Sequence, residues 1–179
     1  MMAVAAVAPV APVAPTAPVA HLLHPGGVAV ASRGERLQTL LGSCVAVLLA
    51  DPRRTVGALC HVVNGGRAVA GAGLRTAFGD DALEEMFAQL RQRGIEPRLC
   101  QAWVFGGGHL FPGCAGLDSV AGHVGAANVR WALRALQGHG IALRGSEFGG
   151  YAWRRLCWTV GPGEPEVRAT PVDAVGAGA

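Results

Sequence analysis

The chain has 179 residues, of which 51% are hydrophobic and 15% charged, enough apolar material for one sizeable core in a single domain. Its formal charge of +3 is mild and does not come from Lys/Arg clusters interleaved with aromatics, which argues against a nucleic-acid partner. Beyond the first twenty residues no apolar run reaches the roughly 18–20 residues of a spanning helix, so no membrane insertion is expected.

Residues 1–20, "MMAVAAVAPVAPVAPTAPVA", lack the basic start of a secretory signal. Their recurring prolines forbid a helix, so they read as an extended, disordered leader. Val28 to Ala31 forms a short apolar run closed by "SRGE", a first strand and turn. Leu37 to Ala50 is a longer apolar stretch broken at Gly42-Ser43. Asp51-Pro52-Arg53-Arg54 then has type I turn chemistry, with Asp first and Pro second. Val56 to Asn64 reads as the returning strand. "GDDALEEMFAQLRQRG" is the clearest helix: Leu83, Met86, Phe87 and Leu90 share one face, Asp81 and Glu84 have capping-box spacing, and Gly94 suits the stop.

"LCQAWVF" is a strand ending in Gly106-Gly107-Gly108. A second helix is expected over Ala126 to Gln137, with Val129, Ala132, Leu133 and Leu136 inward. "IALRGSEFGG", "RRLCWTV" and "EVRAT" then read as strands. The 27 glycines and 11 prolines fit many turns. These elements predict an α/β or α+β fold, a strand-rich single domain over residues 21–170 with sheet packed against two main helices. A flexible tail, 171–179, follows.

Cys44, Cys60, Cys100, Cys114 and Cys157 form no C-x-x-C pair and accompany no export signal, which predicts reduced thiols in the cytoplasm. Cys100, His109, Cys114 and His123 are metal-ligand types, but their gaps are wider than those of structural zinc sites, so no metal is expected. Of the tryptophans, Trp131 and Trp158 read as packing residues and Trp153 as the exposed one.

Cys44 and His61 flank the Asp51 turn. With Pro52-Arg53 or Asp51 to Arg54 as the loop, facing residues sum to 105, which makes Cys44 and His61 a direct cross-strand pair. Cys60 then points to the opposite face. Two readings stand: a buried cysteine beside a satisfied histidine, or a nucleophile beside its base. In the second, the imidazole lowers the thiol pKa, and Gly42 and Ser43 let backbone N–H groups face a developing oxyanion.

"LLGSCVAVLLADPRR" with "GALCHVV" resembles the signature of CheD, the chemoreceptor glutamine deamidase family. "FGDDALEEM", "WVFGGGHLF", "VGAAN" and "FGGYAWRRL" resemble further family motifs in the same order. The resemblance covers about Leu22 to Arg168. It implies a cofactor-free hydrolase in chemotaxis that converts glutamines of methyl-accepting receptors to glutamates through a Cys thioester. Cys44 would be the nucleophile and His61 the base and acid. It also implies chemoreceptor cytoplasmic helices as partners and the CheC phosphatase as a second one; a catalytically silent binding module is the alternative. The family threonine six residues before the cysteine falls on Gln38, which is expected to contact His61 in its place, because neighbouring Thr39 should face the other way.

Overall fold

The computed structural model describes residues 18–110 and 123–172. Residues 1–17 of the expected leader, residues 173–179 of the expected tail and Cys114 lie outside them. Nine strands and two helices are present among the described residues: β1 (Ala20–Leu23), β2 (Val28–Ser32), β3 (Arg36–Leu41), β4 (Val45–Ala50), β5 (Val56–Val62), α1 (Gly79–Gln92), β6 (Gln101–Gly106), α2 (Val124–Gly138), β7 (Ala142–Phe148), β8 (Ala152–Thr159) and β9 (Glu166–Pro171).

The strands form two sheets rather than one. A five-stranded sheet runs β2-β5-β4-β6-β7 and a four-stranded sheet runs β1-β3-β8-β9. Only the β6–β7 and β1–β3 pairings are parallel. The parallel β6–β7 pair is joined through α2, the crossover that parallel neighbours require. This is an α+β architecture in three layers: helices, five-stranded sheet, four-stranded sheet.

Period-two alternation explains why β4 and β5 lie in the middle. Val45, Val47, Leu49, Cys60 and Val62 face the helices, where they meet Leu83, Met86, Leu90, Ala132 and Leu136. Ala46, Leu48, Ala50 and Leu59 face the other sheet, where they meet Leu37, Leu41, Leu156 and Trp158. A strand buried on both faces reads as a continuous apolar run, as Val45–Ala50 does. Cys60 is a core residue on the helix side, as its parity predicts.

The outer face of the four-stranded sheet is uncovered, leaving Leu22, Leu40 and Trp153 exposed.

α1 starts differently from the sequence expectation. Phe78 is its N-cap residue, and Asp81 caps nothing. The first helical N–H groups are taken by loop carbonyls instead: Gly79 N donates to Asn64 O and Asp80 N to Gly66 O, both at 2.9 Å. Asp81, inside the first turn, accepts from Ala68 N at 2.8 Å and pairs with Arg75. Gly94 follows the helix at φ +73°, the left-handed conformation expected of its stop.

Trp158 is 1% exposed in the inter-sheet core and donates its indole N–H to Gly163 O at 2.8 Å. Replacing it leaves a large cavity and an unmet carbonyl. Trp158→Ala should cost about 3–5 kcal/mol in urea unfolding, whereas Leu22→Ala on the open face should change stability by less than about 0.5 kcal/mol.

Candidate active site

The β4–β5 turn decides where Cys44 and His61 sit. Asp51 Oδ1 accepts from Thr55 N (2.6 Å) and Val56 N (2.7 Å), and its Oδ2 accepts from Arg53 N (3.1 Å). Arg54 takes φ +51°, and Asp51 N donates to Val56 O. The loop is therefore Pro52–Thr55, closed by the Asp51/Val56 pair. Ala46 lies opposite His61 and Val45 opposite Val62.

The expected direct pairing of Cys44 with His61 is corrected by this register. Cys44 immediately precedes β4 and, continuing the ladder, faces Val63. The displacement is by two residues, so both side chains remain on one face, as diagonal neighbours. That face points at the four-stranded sheet, and Cys44 packs against the inter-sheet core there.

His61 is 2% exposed and held from two sides. Its N–H donates to Gly27 O (2.9 Å), and its carbonyl accepts from Gly26 N (2.8 Å). Both partners belong to the His24–Gly27 turn, where Gly26 at φ +80° follows Pro25 in type II fashion. On the side-chain end, Thr39 Oγ1 lies 2.8 Å from His61 Nδ1 and 2.8 Å from Leu23 O.

A carbonyl can only accept, so the Thr39 hydroxyl proton goes to Leu23. The Thr39 oxygen must then accept from His61 Nδ1–H. This fixes the tautomer and leaves the Nε2 lone pair unprotonated; Nε2 is buried, with no partner among the described residues.

Thr39, not Gln38, is thus the residue on His61, a correction to the sequence expectation. Strand β3 runs without a bulge from Leu37 to Leu41, and Thr39 shares their inward face. Gln38 points to the outer face, level with Cys157 on β8. The alternation Leu37-x-Thr39-x-Leu41 carried this signal in the sequence, because an inward strand face includes every second residue.

The Gly42–Cys44 loop is fixed by its carbonyls. Gly42 O accepts from Gly108 N (2.8 Å), Cys44 O from Gly107 N (2.7 Å), and Ser43 O from Asn128 Nδ2 (3.1 Å). A trans peptide is planar, so a carbonyl pinned into the scaffold turns the following N–H the opposite way. Fixing Gly42 O aims Ser43 N–H, and fixing Ser43 O aims Cys44 N–H. Among the described residues neither N–H makes a backbone–backbone hydrogen bond. Two N–H groups turned the same way could receive a developing negative charge.

The glycines opposite are obligatory: Gly106 lies at φ +109°, and a Cβ there would stand 2.3 Å from Cys44 O. In the sequence Gly106–Gly108 reads as a turn within the family-like "WVFGGGHLF", and Asn128 closes the family-like "VGAAN", neither with a role at the site.

Burial sets the charge state. It pushes the Cys44 thiol above its ordinary pKa, its own backbone N–H pulling weakly the other way. Burial also lowers His61 to about 4, against the Leu23 carbonyl, which favours the charged form. The expected lowering of the thiol pKa by the imidazole is therefore reversed at rest: thiol and imidazole are both neutral. A neutral imidazole with an unprotonated Nε2 is chemically able to act as a general base.

Among the described residues no three metal-ligand side chains are gathered. Cys100 precedes β6 and His109 follows its far end, although the His109 and His123 rings do meet at 4.8 Å.

The family model described as "CheD chemotactic sensory transduction" matches residues 66–169, more than half of the chain. The chain belongs to the CheD family. A CheD relative from Albidiferax ferrireducens, named "Probable chemoreceptor glutamine deamidase CheD 2", is 36% identical over 144 residues, 79% of this chain and 82% of its own length. A CheD protein of Pseudomonas savastanoi pv. phaseolicola, named "Probable chemoreceptor glutamine deamidase CheD", is 32% identical over 86% of both chains. The CheD model takes in α1, Gly106–Gly108 and Asn128 and begins after His61, so the pairing of Cys44 with His61 rests on the geometry above.

The His61 shift has a stability consequence. The unfolded chain takes up a proton at the ordinary 6.5, whereas the folded protein resists until about 4. Stability is whole above pH 6.5 and falls as pH drops toward 4, by at most about 3 kcal/mol from this group. Urea midpoints between pH 7.5 and 4 should fall more steeply for the wild type than for His61→Gln. Parallel curves would show that His61 titrates normally.

Proposed function

We propose that this chain hydrolyses the side-chain amides of specific glutamines in methyl-accepting chemotaxis receptors, converting them to glutamates. The observation that carries the reading is the shared Thr39 hydroxyl, which commits His61 to the Nδ1–H tautomer on the same sheet face as Cys44. Membership of a family whose relatives are named chemoreceptor glutamine deamidases supplies the substrate class.

The reaction runs in two acyl transfers. His61 Nε2 takes the Cys44 proton as Sγ attacks the glutamine amide carbon. The resulting oxyanion is met by the Ser43 and Cys44 N–H groups. His61 then gives its proton to the departing nitrogen, ammonia leaves, and a thioester remains. A water molecule deprotonated by His61 attacks the thioester and releases glutamate with a regenerated thiol. No step calls for a metal or organic cofactor.

A receptor helix is long and stiff, so its glutamine must reach Cys44 at the rim between the two sheets. Among the described residues no helix is long and apolar enough to cross a membrane. CheC phosphatase is a second partner under this reading. The uncovered Leu22, Leu40 and Trp153 favour a partner-binding role alongside catalysis.

Mass spectrometry of a receptor cytoplasmic fragment incubated with the protein tests the reading. The wild type should convert glutamine to glutamate, a mass gain of about one dalton, and Cys44→Ala should abolish the conversion. Thr39→Val, which keeps the shape and removes the hydroxyl, should slow it by about 100-fold or more. Gln38→Thr should leave the rate unchanged, because that side chain faces away from His61. Binding of the fragment without conversion by the wild type would leave only the partner-binding role.

A further inference from the structure

Asn128 lies on α2, far in sequence from Cys44 and His61, and is 2% exposed. Its amide is fully used: Nδ2 donates to Ser43 O (3.1 Å) and Val63 O (2.9 Å), and Oδ1 accepts from Gly65 N (2.8 Å). The first acceptor belongs to the peptide whose N–H is that of Cys44. The second belongs to Val63, the residue just past the end of β5 and two beyond His61. One side chain therefore joins the backbone entering the nucleophile to the backbone leaving the base.

The surrounding packing works to the same end. A Cβ on Gly125, one turn earlier on α2, would stand 2.5 Å from Gly107 O, and Gly107 N is the donor to Cys44 O. The start of α2 thus rests directly on the turn that cradles the loop.

We propose that Asn128 is the positioning residue of the nucleophile: it locks the Ser43–Cys44 peptide to the end of β5, keeping the sulfur on the face of His61 and the Cys44 N–H aimed at the substrate oxyanion. The inference rests on the deamidase reading for its rate effects, but the position of the thiol can be read without any receptor.

Loss of the clamp frees the peptide to rotate, which removes an aimed oxyanion donor and loosens a half-buried thiol. Asn128→Ala removes all three bonds. Asn128→Asp is isosteric, keeps the acceptor for Gly65 N, and sets a carboxylate against two carbonyls. Leu136→Ala, in the helix-side core near the far end of the same helix, reports general destabilisation.

Two readouts on the full chain serve: deamidation kinetics on a receptor fragment, and iodoacetamide labelling of the Cys44 peptide by mass spectrometry. Both Asn128 variants should lose about 100-fold in kcat, as for a lost oxyanion donor, with KM within about twofold. Cys44 should meanwhile label faster at neutral pH, because the freed thiol leaves its apolar surroundings. Leu136→Ala should move neither readout appreciably. A kcat within about threefold of wild type in Asn128→Asp, or an equal loss in Leu136→Ala, would overturn the proposal. So would unchanged Cys44 labelling in both Asn128 variants. A wild type inactive on receptor, with Cys44 labelling still governed by Asn128, would remove the deamidase reading and leave the clamp in place.

Discussion

Everything at the site depends on one shared oxygen. Thr39 Oγ1 sits between Leu23 O and His61 Nδ1, and its hydrogen bonds tie the four-stranded sheet to the five-stranded one. A buried hydroxyl with a single proton cannot donate to both, so the carbonyl dictates the imidazole tautomer. The stacking of two sheets is thereby converted into a protonation state at Nε2. Shifting β3 by one residue would put Gln38 inward and remove the device, which is why the alternating Leu37 and Leu41 matter to chemistry as well as to packing.

The rest of the fold supplies backbone direction. Three carbonyls on consecutive residues, Gly42 to Cys44, are each drawn into the scaffold by a different donor. A loop with all its carbonyls turned inward must present its N–H groups outward, so the anion-binding geometry follows from peptide planarity. The β6 turn can come close enough to do this only because Gly106 and Gly107 lack side chains and take positive φ. α2 then closes the assembly from behind, with Trp131 donating to Asp80 at the head of α1.

Much of this was legible in the sequence. Apolar periodicity placed α1, α2 and most strands, and the Gly42-Ser43 break separated β3 from β4 where the structure does. The two-sheet arrangement was not legible, because strand order depends on pairings between residues far apart, such as Leu37 with Trp158. The Cys44–His61 register was off by two residues because Asp51 binds the backbone of Thr55 and Val56. No propensity rule distinguishes that closure from one at Arg54. Gln38 stands at the family threonine's spacing from the cysteine, but the alternation of β3 turns Thr39 toward His61 and Gln38 away. Asn128 closes the family-like "VGAAN", but its role was not legible, since its partners are backbone atoms more than sixty residues away.

The neutral resting pair has a further consequence for the life of the protein in the cell. Peroxide oxidises thiolates, not thiols, and the first product, a sulfenic acid, would end catalysis. A cysteine that pairs with a charged histidine at rest is permanently open to that loss. Here burial holds Cys44 protonated and strips His61 of charge. Under the proposed deamidase reading, the thiolate would form only when an amide carbonyl and the loop N–H groups are together to receive its charge. On that reading, reactivity is withheld from small oxidants and released to a substrate.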